Sequence, residues 1–288
     1  PLVREGGARV KGLCRPEDLD PEPRRHLADW LLALADNKQL LGLRYAEWCT
    51  GAPELEADIA ASAMAQYELG HARLLQGVLD DLPEDPRDEA RYTDAATWRS
   101  LPLLDAPFAG WIDLVVANAL LDTLLTVNLE AAATGGYQPL AQRLRKAVAE
   151  EHYHFVHAKA WFRRLAAGPG QAVAALRAAT EVTWPQCVAW FGPEIEGGNS
   201  LDTLMEAGIL AGSAAVLRAR YLAKVQPIFE HTPIEFPARA EKEGWKLVRS
   251  IDWNDWSPAS RRRGTPRFDD RSFAMVTGAS ARAMGVKD

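Results

Sequence analysis

Apolar residues recur every third or fourth position through six long stretches, at about 24–49, 54–81, 108–133, 139–167, 171–191 and 201–229. Helix breakers separate them: Thr50-Gly51-Ala52-Pro53, the run from Pro83 to Pro86, Gly135-Gly136, Gly168-Pro169-Gly170, and Gly192-Pro193 with Gly197-Gly198. No alternating pattern long enough for a strand precedes residue 230. The pattern therefore predicts an all-α domain, a four-helix bundle with two added helices, over residues 24–232. Residues 1–23 are polar and rich in Pro, Gly and charge, and read as an N-terminal arm with little core of its own. From Pro233 the periodicity is lost. Residues 233–288 read as an extended tail in which Trp245, Trp253 and Trp256 stand among charges, an arrangement that is costly unless the indoles pack on the bundle or on a partner. Arg261-Arg262-Arg263 in that tail reads first as a solvated charge cluster and second as a contact for a phosphate-bearing ligand.

Composition narrows the class of partner. The 288 residues are 48% hydrophobic and 25% charged, enough to bury a large core. A formal net charge of -6 supplies no general attraction for phosphate backbones, so no nucleic-acid partner is expected. The most apolar run, 108–134, carries Asp113, Asn118, Asp122, Asn128 and Glu130, too many polar groups for a lipid-facing span. It is expected to be a buried core helix, with no membrane association. Cys14, Cys49 and Cys187 form neither a disulfide framework nor a thiolate metal set, which points to a reducing, cytoplasmic setting.

The candidate chemistry lies in two Glu-x-x-His pairs, Glu68/His71 and Glu151/His154. At i and i+3 on a helix a carboxylate and an imidazole share a face and can reach one metal. Both pairs lie on apolar faces: Glu68 among Ala61, Met64, Ala65, Ala72 and Leu75, and Glu151 among Leu144, Ala147, Val148, Phe155 and Ala158. Ionised groups there need compensation: two iron ions in the bundle core would supply it, and the alternative is that the carboxylates meet Arg or Lys while the histidines are satisfied core residues. Such a centre asks for one more carboxylate from each of the other two helices. Counted from the turn near Gly51, Glu68 lies level with about residue 34, which favours Asp36 over Glu47; counted from the turn near Gly136, Glu151 lies level with about residue 121, which favours Asp122 over Asp113 and Glu130.

Several stretches together resemble a known family. They are Trp48-Cys49-Thr50-Gly51-Ala52-Pro53, Gln66-Tyr67-Glu68-Leu69-Gly70-His71, the run from Asp122 through Tyr137 and Pro139 to Glu150, Glu151 and His154, Trp184-Pro185, Trp190-Phe191-Gly192-Pro193 and Ile251-Asp252-Trp253. From about residue 25 to 256 the chain resembles the catalytic oxygenase subunits of bacterial phenylacetyl-CoA epoxidases. The resemblance implies a ferritin-like fold and a non-heme di-iron centre that uses O2 to epoxidise the ring of an aryl-CoA thioester. Its ligands here would be Asp36, Glu68, His71, Asp122, Glu151 and His154, with Asp36 standing where the family is expected to have Glu.

Met64, Phe155, Trp190 and Phe191 are the candidates for lining a substrate pocket, and core packing is their alternative role. Arg44, Arg73, Lys146 and Lys159 lie on the ligand-bearing helices near where the CoA phosphates would need cations, and none is assigned. No dinucleotide-binding turn, flavin motif or iron-sulfur cysteine set is present, so electrons from NADPH would come through a separate reductase. The chain would then work in a hetero-oligomer with that reductase and a scaffold subunit of its own fold. Two further readings stand beside the oxygenase. In one the chain is that metal-free scaffold; in the other it is a ferritin-like iron or manganese protein of different function, with Tyr67 and Tyr153 placed for a radical role.

Overall fold

The computed structural model of the chain describes residues 12–194, 198–242 and 244–278. Pro21, whose fixed φ suits a first helical turn, opens α1 (Pro21–Ala46), and α2 (Leu55–Leu79) follows the turn around Gly51. The third stretch is one continuous rod built of α3 (Trp111–Ala117), a π-helical turn (Asn118–Asp122) and α4 (Thr123–Ala133). Its residues Leu114 to Leu129 are buried inside the bundle, as a core helix requires. Then come α5 (Gln138–Ala166) and α6 (Gly170–Ala189).

The expected sixth helix is two. It breaks into α7 (Ser200–Glu206) and α8 (Ala214–Phe229), because Gly208 and Gly212 adopt φ of +73° and +153° and Ser213 restarts the helix by accepting from the Val216 amide.

Helices α1, α2, α4 and α5 form the four-helix core, with α3, α6 and α8 packed on the α4/α5 side. The fold is all-α and ferritin-like. Helices α2 and α5 run antiparallel, tied at one end by Arg164 and Glu54 at 2.6 Å and at the other by Arg143 and Asp81 at 3.6 Å. Helix α1 presses closely on α2: a Cβ added to Gly42 would come within 3.0 Å of Glu68 Cβ and Leu69 Cγ. This contact sets the depth at which the α1 side chains one turn away reach the bundle axis.

The tail packs on the bundle of its own chain. It contains an antiparallel hairpin, β1 (Ala238–Glu241) with β2 (Gly244–Leu247), a second short pair, β3 (Trp256–Ser257) with β4 (Arg262–Arg263), and α9 (Asp270–Val276). Trp245, Leu247, Ile251, Phe268 and Phe273 pack against the core, and Trp256 Nε1 donates to the Ala189 carbonyl at 2.9 Å.

Two of the three arginines in the run, Arg261 and Arg262, are buried and engaged by the protein itself, not solvated or open to a phosphate. Arg261 is buried, donating from Nε to the Trp190 carbonyl (2.7 Å) and from Nη1 to Ser200 Oγ (2.9 Å). Arg262 is also buried and meets both Asp105 oxygens at 2.9 Å and the Ser100 carbonyl at 2.6 Å. Only Arg263 lies outside, paired with Asp252.

Candidate functional site

Four of the six expected ligands meet at the bundle centre. Glu68 on α2, Asp122 at the end of the π-helical turn, and Glu151 and His154 on α5 each offer a ligand atom within 4.8 Å of the others, all from buried side chains. Such a donor set could hold a metal ion. A π-helical turn changes side-chain direction locally, and here it aims Asp122 inward. Asn118, one turn earlier, donates to Asp122 Oδ2 (3.2 Å), as does the Tyr45 hydroxyl (3.1 Å). Thr126 Oγ1 lies 2.7 Å from Glu151 Oε2.

The centre of this set is occupied by a side chain of the protein. Lys38 Nζ lies 2.9 Å from Glu68 Oε1, 2.9 Å from Asp122 Oδ1 and 2.5 Å from Glu151 Oε1, with no solvent exposure. An ammonium has three N–H donors, and each finds one carboxylate.

Asp36 does not join the cluster. Its carboxylate accepts from Arg91 Nη2 (2.5 Å), Arg91 Nη1 (3.2 Å) and the Arg99 amide (2.8 Å), facing the connection between α2 and α3. Asp36 and Lys38 differ by about 3 Å along the helix axis but by about 200° around it, so only one of them can face the centre. Lys38 shares its face with Gly42 and Tyr45, at i+4 and i+7, and this is the face turned to α2 and Asp122.

His71 sits at the edge. Its Nδ1 lies 3.0 Å from Glu151 Oε1 and its Nε2 2.9 Å from Glu150 Oε2, and Glu150 in turn meets Lys146 at 3.2 Å. His154 Nδ1 lies 2.9 Å from Asp122 Oδ2 and 3.3 Å from Glu68 Oε1.

Burial alone would strip the proton from Lys38, but Asp122, Glu151 and Glu68 together override it and hold the ammonium well above its ordinary pKa. Burial likewise works against His154, yet Asp122 and Glu68 raise it to about 11; His71 is raised by its bond to Glu151 against the same desolvation. Asp122 is held low despite burial by Lys38 and His154, and Glu151 despite burial and the repulsion of Asp122 by Lys38 and His71. Glu68 gives way, pushed up to about 7 by burial and the Asp122 charge. Three carboxylates thus face one ammonium and two imidazoles, and the cluster approaches neutrality with its own side chains.

This arrangement does not fit a pair of metal ions. The two-ion rule requires four carboxylates, and among the described residues the centre has three because Asp36 is committed to Arg91. Oxygen ligands bind first-row divalent ions at about 2.0–2.2 Å, so an ion placed among the same three oxygens would collide with Lys38 Nζ.

The remaining expected residues fall elsewhere. Met64 and Trp190 are buried core, and Trp190 Nε1 donates to Asn128 Oδ1 at 3.2 Å. Phe155 is half-buried against the core, while Phe191 lines a surface cavity of about 280 Å³ with Gly192, Asn199 and Arg218. Arg44 is buried under α9, donating to the Leu104 carbonyl and to Ser272 Oγ, so it is not a surface cation. Tyr67 stacks on His71 at 6.4 Å and lies 5.8 Å from His154, whereas Tyr153 is 70% exposed. Glu47 pairs with Arg44, Glu130 with Lys224, and Asp113 accepts from the Gly110 amide.

A pH profile of stability follows from these shifts. Burial and the His154 charge push His157 down to about 4, so its contribution is complete above the ordinary histidine pKa of 6.5 and is lost as pH falls toward 4. His154 contributes fully below pH 6.5 and loses that contribution as pH rises through about 11; Glu68 acts in the same sense between 4.5 and about 7. The thermal midpoint should peak between about pH 5 and 7 and fall on both sides. His157→Gln should flatten the acid limb alone, and calorimetry across pH 4–10 that showed no maximum would contradict these assignments.

The model of the phenylacetic acid catabolic protein family matches residues 14–246. The chain is 26% identical over 201 residues to one subunit of the 1,2-phenylacetyl-CoA epoxidase of Escherichia coli (strain K12), covering 69% of this chain and 79% of that one. It is 22% identical over 275 residues to another subunit of the same epoxidase, covering 93% of this chain and 89% of that one.

Proposed function

This chain belongs to the phenylacetic acid catabolic protein family, and from that premise we propose that it is the ferritin-like scaffold subunit of a multi-subunit epoxidase. The complex would act on phenylacetyl-CoA or a related aryl-CoA thioester, the chemistry for which the two relatives are named. The observation that carries this reading is Lys38. A bundle whose three central carboxylates are each paired with one internal ammonium has the architecture of an oxygenase subunit with a cation of its own where the metal would stand. Oxygen activation then belongs to a related metal-bearing subunit, with electrons from NADPH arriving through a separate reductase. The competing reading, in which this chain is itself the di-iron oxygenase, needs Lys38 to leave the centre and Asp36 to abandon Arg91.

Metal analysis and reconstitution separate the two. The purified chain, incubated anaerobically with Fe2+ and desalted, should retain well under one iron per chain. It should turn over phenylacetyl-CoA only when supplied with the reductase and a metal-bearing partner of its own fold. Retention of two irons, with epoxidation by this chain and reductase alone, would overturn the proposal.

A further inference from the structure

We infer that Lys38 is a built-in counter-cation standing in a one-ion site, so that removing its amine alone converts the cluster of Glu68, Asp122, Glu151 and His154 into a site for a single divalent metal ion. The inference rests on the scaffold reading above and goes beyond it, because it assigns the metal-free state to one side chain rather than to decay of the whole site.

The geometry supplies three reasons. All four donor side chains are already gathered, with ligand atoms within 4.8 Å of one another, so no rearrangement of the helices is needed. Glu68 Oε2, at the same place, is buried without a hydrogen-bond partner on a side chain with no solvent exposure. Buried polar atoms are rarely left so, and unused lone pairs beside a cation mark coordination capacity that an ammonium with only three donors cannot use. Finally, the supports that orient the donors do not involve Lys38: Asn118 and Tyr45 hold Asp122, Thr126 lies against Glu151, and His71 links Glu151 to Glu150. Such outer contacts keep first-row metal ligands in place. Three carboxylates with one imidazole form a hard, oxygen-rich set suited to Mn2+, Fe2+ or Co2+. Lacking the carboxylate of Asp36, the site has ligands for one ion and not two.

The test uses the full chain. Lys38→Ala and Lys38→Ala combined with Glu68→Gln, the second leaving one fewer uncompensated carboxylate in case the first does not fold without metal, are titrated with Co2+ alongside the unaltered chain. Uptake is read by bound cobalt after desalting and by visible d–d absorption, and stability by thermal melting. Lys38→Ala should bind one equivalent, and Co2+ at a hundredfold excess over its Kd should raise the melting midpoint by about 5–10 °C. Adding Asp122→Asn should abolish both effects, and the unaltered chain should show neither. Failure of both Lys38 variants to take up Co2+, whether refolded with the ion or without it, overturns the inference and leaves the scaffold reading standing. Uptake by the unaltered chain equal to that of the variants overturns the exclusion role of Lys38 and counts against the scaffold reading as well.

Discussion

Lys38→Met is expected to destabilise the metal-free protein by at least about 3–5 kcal/mol at neutral pH, the usual cost of removing one partner from a buried ion pair. Here one ammonium serves Glu68, Asp122 and Glu151 together, so the loss should lie at or above the top of that range. For a chain of this size it corresponds to a fall in melting temperature of about 10–15 °C. Methionine has nearly the volume of lysine, so a packing defect contributes little. The origin of the loss is electrostatic, and pH reveals it. Without the ammonium the three carboxyls rise in pKa; a carboxyl raised in the folded state stabilises fully below its unfolded pKa and loses that contribution as pH increases through the folded one. The variant should therefore approach the parent in stability near pH 4.5 and diverge from it toward pH 8. Combining Lys38→Met with Glu68→Gln, Asp122→Asn and Glu151→Gln should recover most of the loss, because replacing every member of a buried ionic group is far less costly than orphaning some of them. Equal stability of Lys38→Met and the parent at all pH values would show that the ammonium is not the counter-charge of this cluster.

The levels of the site were legible in the sequence, whereas the rotation of one helix was not. Residue counts from the turns near Gly51 and Gly136 select the correct depth, because the rise per residue is nearly constant along any α-helix. That arithmetic chose Asp122 over Asp113 and Glu130, and Asp122 stands at the centre. On helix α1 it chose Asp36, two residues from the side chain that does reach the axis. A stripe of apolar residues identifies the inward face only when the opposite face is wet, and α1 is buried on nearly every side from Leu27 to Tyr45. The decisive partner of Asp36, Arg91, lies in the aperiodic connection between α2 and α3, where no pattern foretells a contact. A usable signal was nonetheless present. Lys38 lies in register with Leu31, Leu34, Leu41 and Tyr45, and a lysine in such a stripe is a buried cation that must find carboxylates. The tail shows the opposite case: its tryptophans announced packing, and all three are partly buried, but whether they met this bundle or another chain could be settled only by tertiary contacts such as Trp256 with Ala189.

Those contacts lead to the second large effect, which is that truncation after Ser250 should unfold the bundle and not merely weaken its association with other subunits. The segment beyond Ser250 packs Ile251, Trp256, Phe268 and Phe273 on the core and buries Val276 with α9. At about 1.5–3 kcal/mol for each large apolar side chain fully buried, and less for those only partly covered, the segment contributes on the order of 5–10 kcal/mol. That equals most of the net stability of an ordinary domain, about 5–15 kcal/mol. Its polar contacts compound the loss, because deletion also orphans buried groups of the bundle: Arg44 loses Ser272 Oγ, Asp105 loses both bonds from Arg262, and the Trp190 carbonyl loses Arg261. A finer probe is Arg262→Ala, which keeps the tail but removes its bidentate clasp on Asp105; since Asp105 retains some exposure, about 2 kcal/mol is expected. Melting temperature and near-ultraviolet circular dichroism of the two variants provide the measurement. A truncated chain that kept the parent's melting temperature while failing to bind another subunit would show that the tail is an interface for a partner, and that its packing on α1, α6 and the connection before α3 is energetically idle.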